Sequence, residues 1–236
     1  MITVTVINES TLLTDAQVAP VVAALQRQVS EHFFPAWGID ARLEFLSKGA
    51  QSSSAYSWQL ILLDTSDDAG ALGYHDITPR GLPLGKVFVK SDLDSGSSWT
   101  VTLSHELLEM LGDPNINLTV LVDNILYAYE ACDACEADEL GYDIGGVKVS
   151  DFVYPAYFES FWGEGETQFD YGKHISAPLQ LLPGGYASYL DITNGQGWQQ
   201  KYADATPSFA NRPRVGSRRE RRRLPREQWV KSKGTI

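Results

Sequence analysis

The segment SHELLEMLGDP, residues 104–114, contains three side chains that can bind a cation or carry a proton: His105, Glu106 and Glu109. On a helix, His105 and Glu109 lie on one face about 6 Å apart along the axis, which is close enough to hold one cation. Glu106 is turned about 100° away from His105 and need not be a ligand. The spacing is that of the HExxH motif, with Glu109 in place of its second histidine. The alternative is a solvent-facing helix with ordinary charges.

In proteins that carry HExxH, two helical residues bind zinc, and the intervening glutamate takes a proton from the bound water. A third ligand must come from downstream, and the acidic candidates are Asp113, Glu130, Asp133 and Glu136. Asp113 lies about 12 Å from His105 along an unbroken helix, so it can contribute only if Gly112 turns the chain back. Glu130 is the preferred third ligand. The sequence therefore predicts one divalent cation per chain.

The chemical types of the candidate ligands indicate which metal ion would bind. One imidazole and two carboxylates neutralise a dication, so bound water would be less acidic than over three histidines. Zinc is the predicted metal, and the oxygen-rich donor set leaves calcium and manganese as alternatives. Cys132 and Cys135 form a lone CxxC pair, which predicts inert thiols rather than a second zinc site. His75, in GYHD, is predicted to be a hydrogen-bonding loop residue.

Three pieces of the chain, LGYHDITPRGLPLGKVFV, LSHELLEMLGDP and YEACDACE, resemble zincin-fold metallopeptidases. They resemble still more a set of phage and prophage proteins with an HExxE variant of the motif, over roughly residues 1–200. The resemblance implies that His105 and Glu109 are ligands and Glu106 is the base. Glu130 then matches the downstream glutamate of the thermolysin-like branch. The third-ligand position of the metzincin branch falls on Asn115, a poor zinc ligand.

The elements that must position these residues can be read from hydrophobic periodicity. Strands are predicted at residues 2–7, 42–46 and 58–63, and helices at 15–34 and 99–111. KVFVK, residues 86–90, is short and flanked by lysines, which predicts an edge strand. In zincins the edge strand binds the substrate backbone. The C-terminal half is rich in loops, with strand-like pieces at 147–154 and 186–192. The order predicts an α+β fold with helices packed on one twisted sheet. The resemblance implies that this fold is zincin-like and that its sheet is mixed.

Charge divides the chain into a body and an arm. The net charge is −11, but residues 212–236 contain ten Lys and Arg against two Glu, a net charge of +8. Residues 1–211 therefore have nine basic and 28 acidic residues, a net charge of −19. The body, predicted to be the metal-binding domain, would repel nucleic acid. The arm is predicted either to be a solvated extension or to dock on protein subunits, with nucleic acid as the less favoured partner.

Two classes of function follow from the sequence. The first is a metal-dependent peptidase, and the alternative is a catalytically silent structural virion component of capsid, neck or tail. No run approaches the roughly 20 apolar residues of a membrane span, and no signal peptide is readable at the start. Together with the resemblance to phage proteins, this predicts a virion or the host cytoplasm as the location.

Overall fold

The computed structural model of the protein describes residues 1–50, 56–66 and 71–203. A mixed sheet forms its first half. Its five strands are β1 (Ile2–Asn8), β2 (Ala41–Leu46), β3 (Trp58–Leu63), β4 (Gly73–Ile77) and β5 (Pro83–Phe88). Their spatial order is β2-β1-β3-β5-β4. The first four in that order run parallel, and β4 pairs antiparallel with β5.

The strand segments follow the predicted patterns. β1 alternates β-branched residues, and its Val4 and Val6 are fully buried. β3, with the sequence WQLILL, lies between β1 and β5, and its Leu60 and Leu62 are also fully buried. A central parallel strand is covered on both faces, which explains its nearly continuous apolar sequence.

The expected position of the edge strand is wrong. Residues 83–88 form the interior strand β5, and Val89 and Lys90 already belong to helix α3 (Val89–Ser95). The edge on this side of the sheet is β4, within the region rich in glycine and proline from which a loop was expected. Lysine flanks were a misleading signal because Lys86 lies on an interior strand, where its amino group lies over the ring of Tyr74.

Two helical regions pack on this sheet. The predicted helix at 15–34 is observed as α1 (Asp15–Arg27), a π-helical turn (Gln28–Phe33) and α2 (Phe34–Trp37). The second is α4 (Trp99–Gly112), which ends at the predicted glycine and packs against β3, β4 and β5. Its position beneath the antiparallel edge brings the HExxE segment close to β4.

Buried hydrogen bonds connect α4 to distant parts of the chain. The Ser104 hydroxyl donates to Gln28 Oε1 over 2.7 Å and accepts from the backbone N–H of Ser150 over 3.1 Å. The Gln28 amide in turn donates to the Ser150 carbonyl over 2.9 Å. These bonds join the π-helical turn and the segment around Ser150 to α4, one residue before His105.

The C-terminal half forms two small antiparallel sheets. One consists of β6 (Thr119–Val122), β7 (Ile125–Ala128), β10 (Tyr186–Asp191) and β11 (Gln199–Tyr202), in the order β11-β10-β7-β6. The other is the hairpin β8 (Tyr142–Ile144) and β9 (Val147–Val149). The strand expected at 147–154 is therefore shorter than predicted, whereas the strand at 186–192 is confirmed.

The α+β class with a mixed sheet is confirmed. The basic arm, residues 212–236, lies outside the described residues. In the described part of the chain, every helix is too short or too polar to cross a bilayer.

Candidate metal centre

Helix α4 presents its acidic residues to the protein interior. The side chains of Leu103, Leu107 and Leu108 are fully buried, and Glu106 and Glu109 are only 6% and 4% exposed. Buried carboxylates require a partner of opposite charge, hydrogen-bond donors or a metal ion. The alternative of a solvent-facing helix with ordinary charges is therefore wrong.

His105 lies between two carboxylates. Its Nε2 atom is 3.3 Å from Oε1 of Glu109 and 3.4 Å from Oδ1 of Asp133. Asp133 comes from the short helical turn Asp133–Cys135 that follows β7. The same turn is tied to α4, because the backbone N–H of Cys132 donates to Oε1 of Glu109 over 3.2 Å. His105, Glu109 and Cys132 form a group whose potential ligand atoms all lie within 4.8 Å of one another.

His75 lies on strand β4 and faces the same carboxylates, which corrects its expected place in a loop. Its Nδ1 atom is 3.5 Å from Oε2 of Glu106 and 3.5 Å from Oε2 of Glu109. Its Nε2 atom is 3.8 Å from Oε2 of Glu130. His75, Glu109 and Glu130 form a second group within 4.8 Å. The sequence did contain a sign of this role, because His75 is one of only four histidines in the chain and lies directly between Tyr74 and Asp76.

The downstream acids occupy different places. Glu130, the preferred third ligand, lies beside Glu109, and Asp133 lies beside His105. Asp113 instead ends α4, where its two carboxylate oxygens accept the backbone N–H groups of Asn117 and Leu118. Among the residues that the structure describes, neither Asp113 nor Glu136 belongs to a group of three potential ligands within 4.8 Å. Their proposed roles as ligands stay predictions with less geometric support than that of Glu130.

The thiols of Cys132 and Cys135 are buried and form no disulfide. Burial raises the pKa of the Cys132 thiol, and the charge of Glu109 raises it further. A bound cation would reverse this effect, because a coordinating thiol loses its proton. Cys132 is therefore a candidate ligand, whereas the sequence favoured an inert thiol at this position.

The ionisable groups of the centre shift one another's pKa values. Burial lowers the pKa of His105, but Glu109 and Asp133 together outweigh burial and raise it well above its usual value. Burial raises the pKa of Glu106, as do the charges of Glu109 and Asp133. Burial and Glu109 raise the pKa of Asp133 to about 6. A cation would displace the protons held by these groups, so metal binding is expected to strengthen as the pH rises.

A small recess, partly open to solvent, adjoins the centre. Its lining includes Glu130 and Asp133, together with the aromatic side chains of Tyr127, Tyr157 and Tyr186. The recess therefore connects two acids of the otherwise buried cluster to the surface. It encloses only about 10 Å³, which is room for about one water molecule.

Comparison of the chain with models of protein families, with curated proteins and with solved structures finds no match. The arrangement of His75, His105, Glu106, Glu109 and the downstream acids is therefore the basis for a functional proposal.

Gly73 fixes the spacing between β4 and α4. A Cβ atom at Gly73 would lie 2.7 Å from Oε1 of Glu106 and 2.9 Å from Cγ2 of Thr102. We expect Gly73→Ala to lower the free energy of unfolding by about 1–3 kcal/mol, because one of the two elements must move. Urea unfolding measures the change. Gly112→Ala is the matched control, since its added Cβ would come no closer than 3.3 Å to Trp37. Equal losses in the two variants would contradict the prediction.

A separate acidic group lies in the loop-rich half. Asp151 and Asp170 are fully buried, and Oδ2 of Asp151 is 3.2 Å from Nδ1 of His174. Oδ1 of Asp151 accepts the backbone N–H groups of Phe152 and Gly172. Burial, and then the neighbouring Asp170, raise the pKa of Asp151 to about 7.

This pKa predicts a pH-dependent effect of Asp151→Asn. A carboxyl group whose pKa is higher in the folded chain binds more protons there, so its contribution to stability falls as the pH rises from about 4 to about 7. The amide cannot ionise and keeps an oxygen for both backbone donors. We expect the variant to exceed wild type in free energy of unfolding by up to about 4 kcal/mol at pH 8, and to match it near pH 4.

Urea unfolding at the two pH values, with a chelator present, measures the difference. Asp143→Asn is the control, because Asp143 is exposed and its Oδ1 also accepts a backbone N–H, from Gly146. A difference between Asp151→Asn and wild type that is the same at both pH values would contradict the assignment.

Proposed function

We propose that this protein is a zincin-like metalloprotein that binds zinc and hydrolyses peptide bonds. The main support for the proposal is a buried cluster of side chains. In it, His105, Glu106 and Glu109 of α4 lie close to Glu130 and Asp133. The mixed sheet supports it too, because its antiparallel edge strand β4 lies beside the helix that carries the HExxE motif.

The donor atoms fit a metal ion, and zinc in particular. Oδ1 of Asp133 is buried and accepts no hydrogen bond from the described residues, although it lies 3.4 Å from Nε2 of His105. Ligands about 2.1 Å from a tetrahedral ion are about 3.4 Å apart, so this spacing suits a shared cation. Nitrogen, carboxylate oxygen and the nearby thiol of Cys132 favour zinc, whereas calcium takes six to eight oxygen ligands.

In this proposal Glu106 is the base. When bound, a divalent cation polarises the substrate carbonyl and lowers the pKa of water. Glu106 takes a proton from the attacking water and delivers it to the leaving amine as the C–N bond breaks. His75 orients Glu106, because its Nδ1 atom lies 3.5 Å from Oε2 of that carboxylate. The raised pKa of Glu106 suits a group that must accept a proton and then release it.

The substrate would be an extended peptide segment. Strand β4 is the last strand of its sheet and pairs on one side with β5, so a peptide can add along the other side by backbone hydrogen bonds.

The depth of the centre favours a second candidate function. The side chains of His105, Glu109 and Glu130 are nearly buried, as expected for a cation that ties α4 to the segment after β7 and performs no reaction. In that case the protein is a structural virion component that uses its zincin-like domain and the basic arm at 212–236 to bind neighbouring subunits.

One experiment tests the hydrolase proposal against this alternative. The full chain, loaded with zinc, is incubated with an unfolded protein substrate, and new peptide termini are identified by mass spectrometry. We expect cleavage that a chelator abolishes and added zinc restores. If the chain contains zinc and produces no termini above the chelated control, the hydrolase proposal is wrong and the structural function is favoured.

A further inference from the structure

The two carboxylate oxygens of Glu109 face different partners. Oε1 lies 3.3 Å from Nε2 of His105 and accepts the backbone N–H of Cys132. Oε2 lies 3.5 Å from Nδ1 of His75. A carboxylate that presents one oxygen to each of two imidazoles has the geometry of a bridge between two cation positions.

The potential ligands accordingly fall into two groups that share Glu109. His105 and Cys132 complete the first group, and His75 and Glu130 complete the second. The first joins α4 to the segment after β7, and the second joins α4 to β4 and to the same segment after β7. Zinc in proteins almost always takes about four ligands, so these five side chains with Asp133 exceed what one ion requires.

Buried oxygens occur on both sides of Glu109. Oδ1 of Asp133, on the side of His105, and Oε2 of Glu106, on the side of His75, accept no hydrogen bond from the part of the chain that the structure describes. Both residues are more than nine-tenths buried. A carboxylate oxygen withdrawn from water is stabilised by a cation or a donor, and each side of the centre has one such oxygen.

The formal charges agree with two ions. Glu106, Glu109, Glu130 and Asp133 carry four negative charges when ionised, and a Cys132 thiolate that binds metal adds a fifth. The two histidines can bind metal as neutral imidazoles. Two dications would leave one negative charge in the buried cluster, whereas one dication would leave three. Because isolated buried charges are costly, this count favours the fuller occupancy.

We infer that the centre holds two divalent cations bridged by Glu109, one at His105, Cys132 and Asp133 and one at His75 and Glu130. This inference rests on the metal centre of the proposed function and extends it from one ion to two. Glu106 then lies beside the second position, where it remains the base.

The test counts manganese ions in the full-length chain. Metal-free protein is loaded with Mn²⁺, passed through a desalting column and examined by elemental analysis and by electron paramagnetic resonance. We expect two ions per chain with a spin-coupled spectrum in wild type, and one ion with an uncoupled spectrum in both His75→Ala and His105→Ala. His174→Ala is the matched control, because His174 belongs to the separate group with Asp151 and Asp170.

The outcomes separate the inference from the proposed function. A single ion in wild type that is lost in His105→Ala and retained in His75→Ala overturns the two-ion centre and leaves the one-ion hydrolase intact. Loss of an ion in His174→Ala also overturns it, since the second ion would then lie elsewhere. An absence of bound ions in wild type overturns both. The coupled spectrum of wild type is decisive even if a histidine variant fails to fold.

Discussion

Glu106→Gln is expected to lower turnover by about 10²- to 10⁴-fold and to leave the metal content unchanged. Glutamine has the size of glutamate and can keep the contact with His75, but it cannot accept a proton. Since Glu106 acts in the reaction and not as a ligand in the proposed mechanism, only the chemical step should be affected. Turnover of the unfolded protein substrate and zinc content are measured on the same preparation.

Glu31→Gln is the control for loss of one carboxylate from this acidic chain. Glu31 is exposed, pairs with Arg27 one helical turn away and belongs to none of the groups of potential ligands. We expect it to retain wild-type turnover. If Glu106→Gln loses zinc, Glu106 is a ligand and not the base; if it retains full turnover with zinc bound, another group must move the proton.

Glu109→Gln is expected to remove the stabilisation that metal gives to the folded chain. A ligand that binds only the folded state stabilises it by about 4 kcal/mol at 1,000 times its dissociation constant. Glutamine can still accept the backbone N–H of Cys132, so the local fold is retained while the charge that holds the cation is lost. Thermal unfolding with and without zinc gives the metal-dependent increment for each protein.

The comparison is made within each variant, so a change in metal-free stability does not enter. Glu44→Gln, on strand β2 and outside the metal centre, should show the full wild-type increment. An equal increment in Glu109→Gln and wild type would mean that Glu109 binds no metal. Both the one-ion and the two-ion centre would then be wrong.

Local patterns were sufficient to predict the elements that bury a continuous face. In β1 small polar and apolar β-branched residues alternate, and β3 is a nearly continuous apolar run. Helix α4 ends at Gly112, just before Pro114. The positions of these elements therefore follow from neighbouring residues in the sequence. HExxE spacing also placed His105 and Glu109 on one side of α4. Each of these patterns involves only a few neighbouring residues, and the structure has the predicted elements at these positions.

The contribution of β4 could not be predicted in the same way. GYHDI has few β-branched residues, and it becomes a strand because it pairs with β5 and lies over α4. His75 therefore reaches Glu106 and Glu109 through contacts between residues about 30 positions apart. Such long-range pairing leaves little trace in local periodicity, which is why a loop was expected there.

Ser104 fixes the rotation about its own axis of helix α4, which carries the candidate metal centre. Its hydroxyl is held between Gln28 and Ser150, so α4 cannot turn about its axis without breaking two buried hydrogen bonds. A slip of one residue, about 100°, would swing His105 out of the acidic cluster. The phase of α4 is thus fixed by folding and not by the cation. Little conformational entropy then remains to oppose metal binding, which is the thermodynamic advantage of a preorganised receptor.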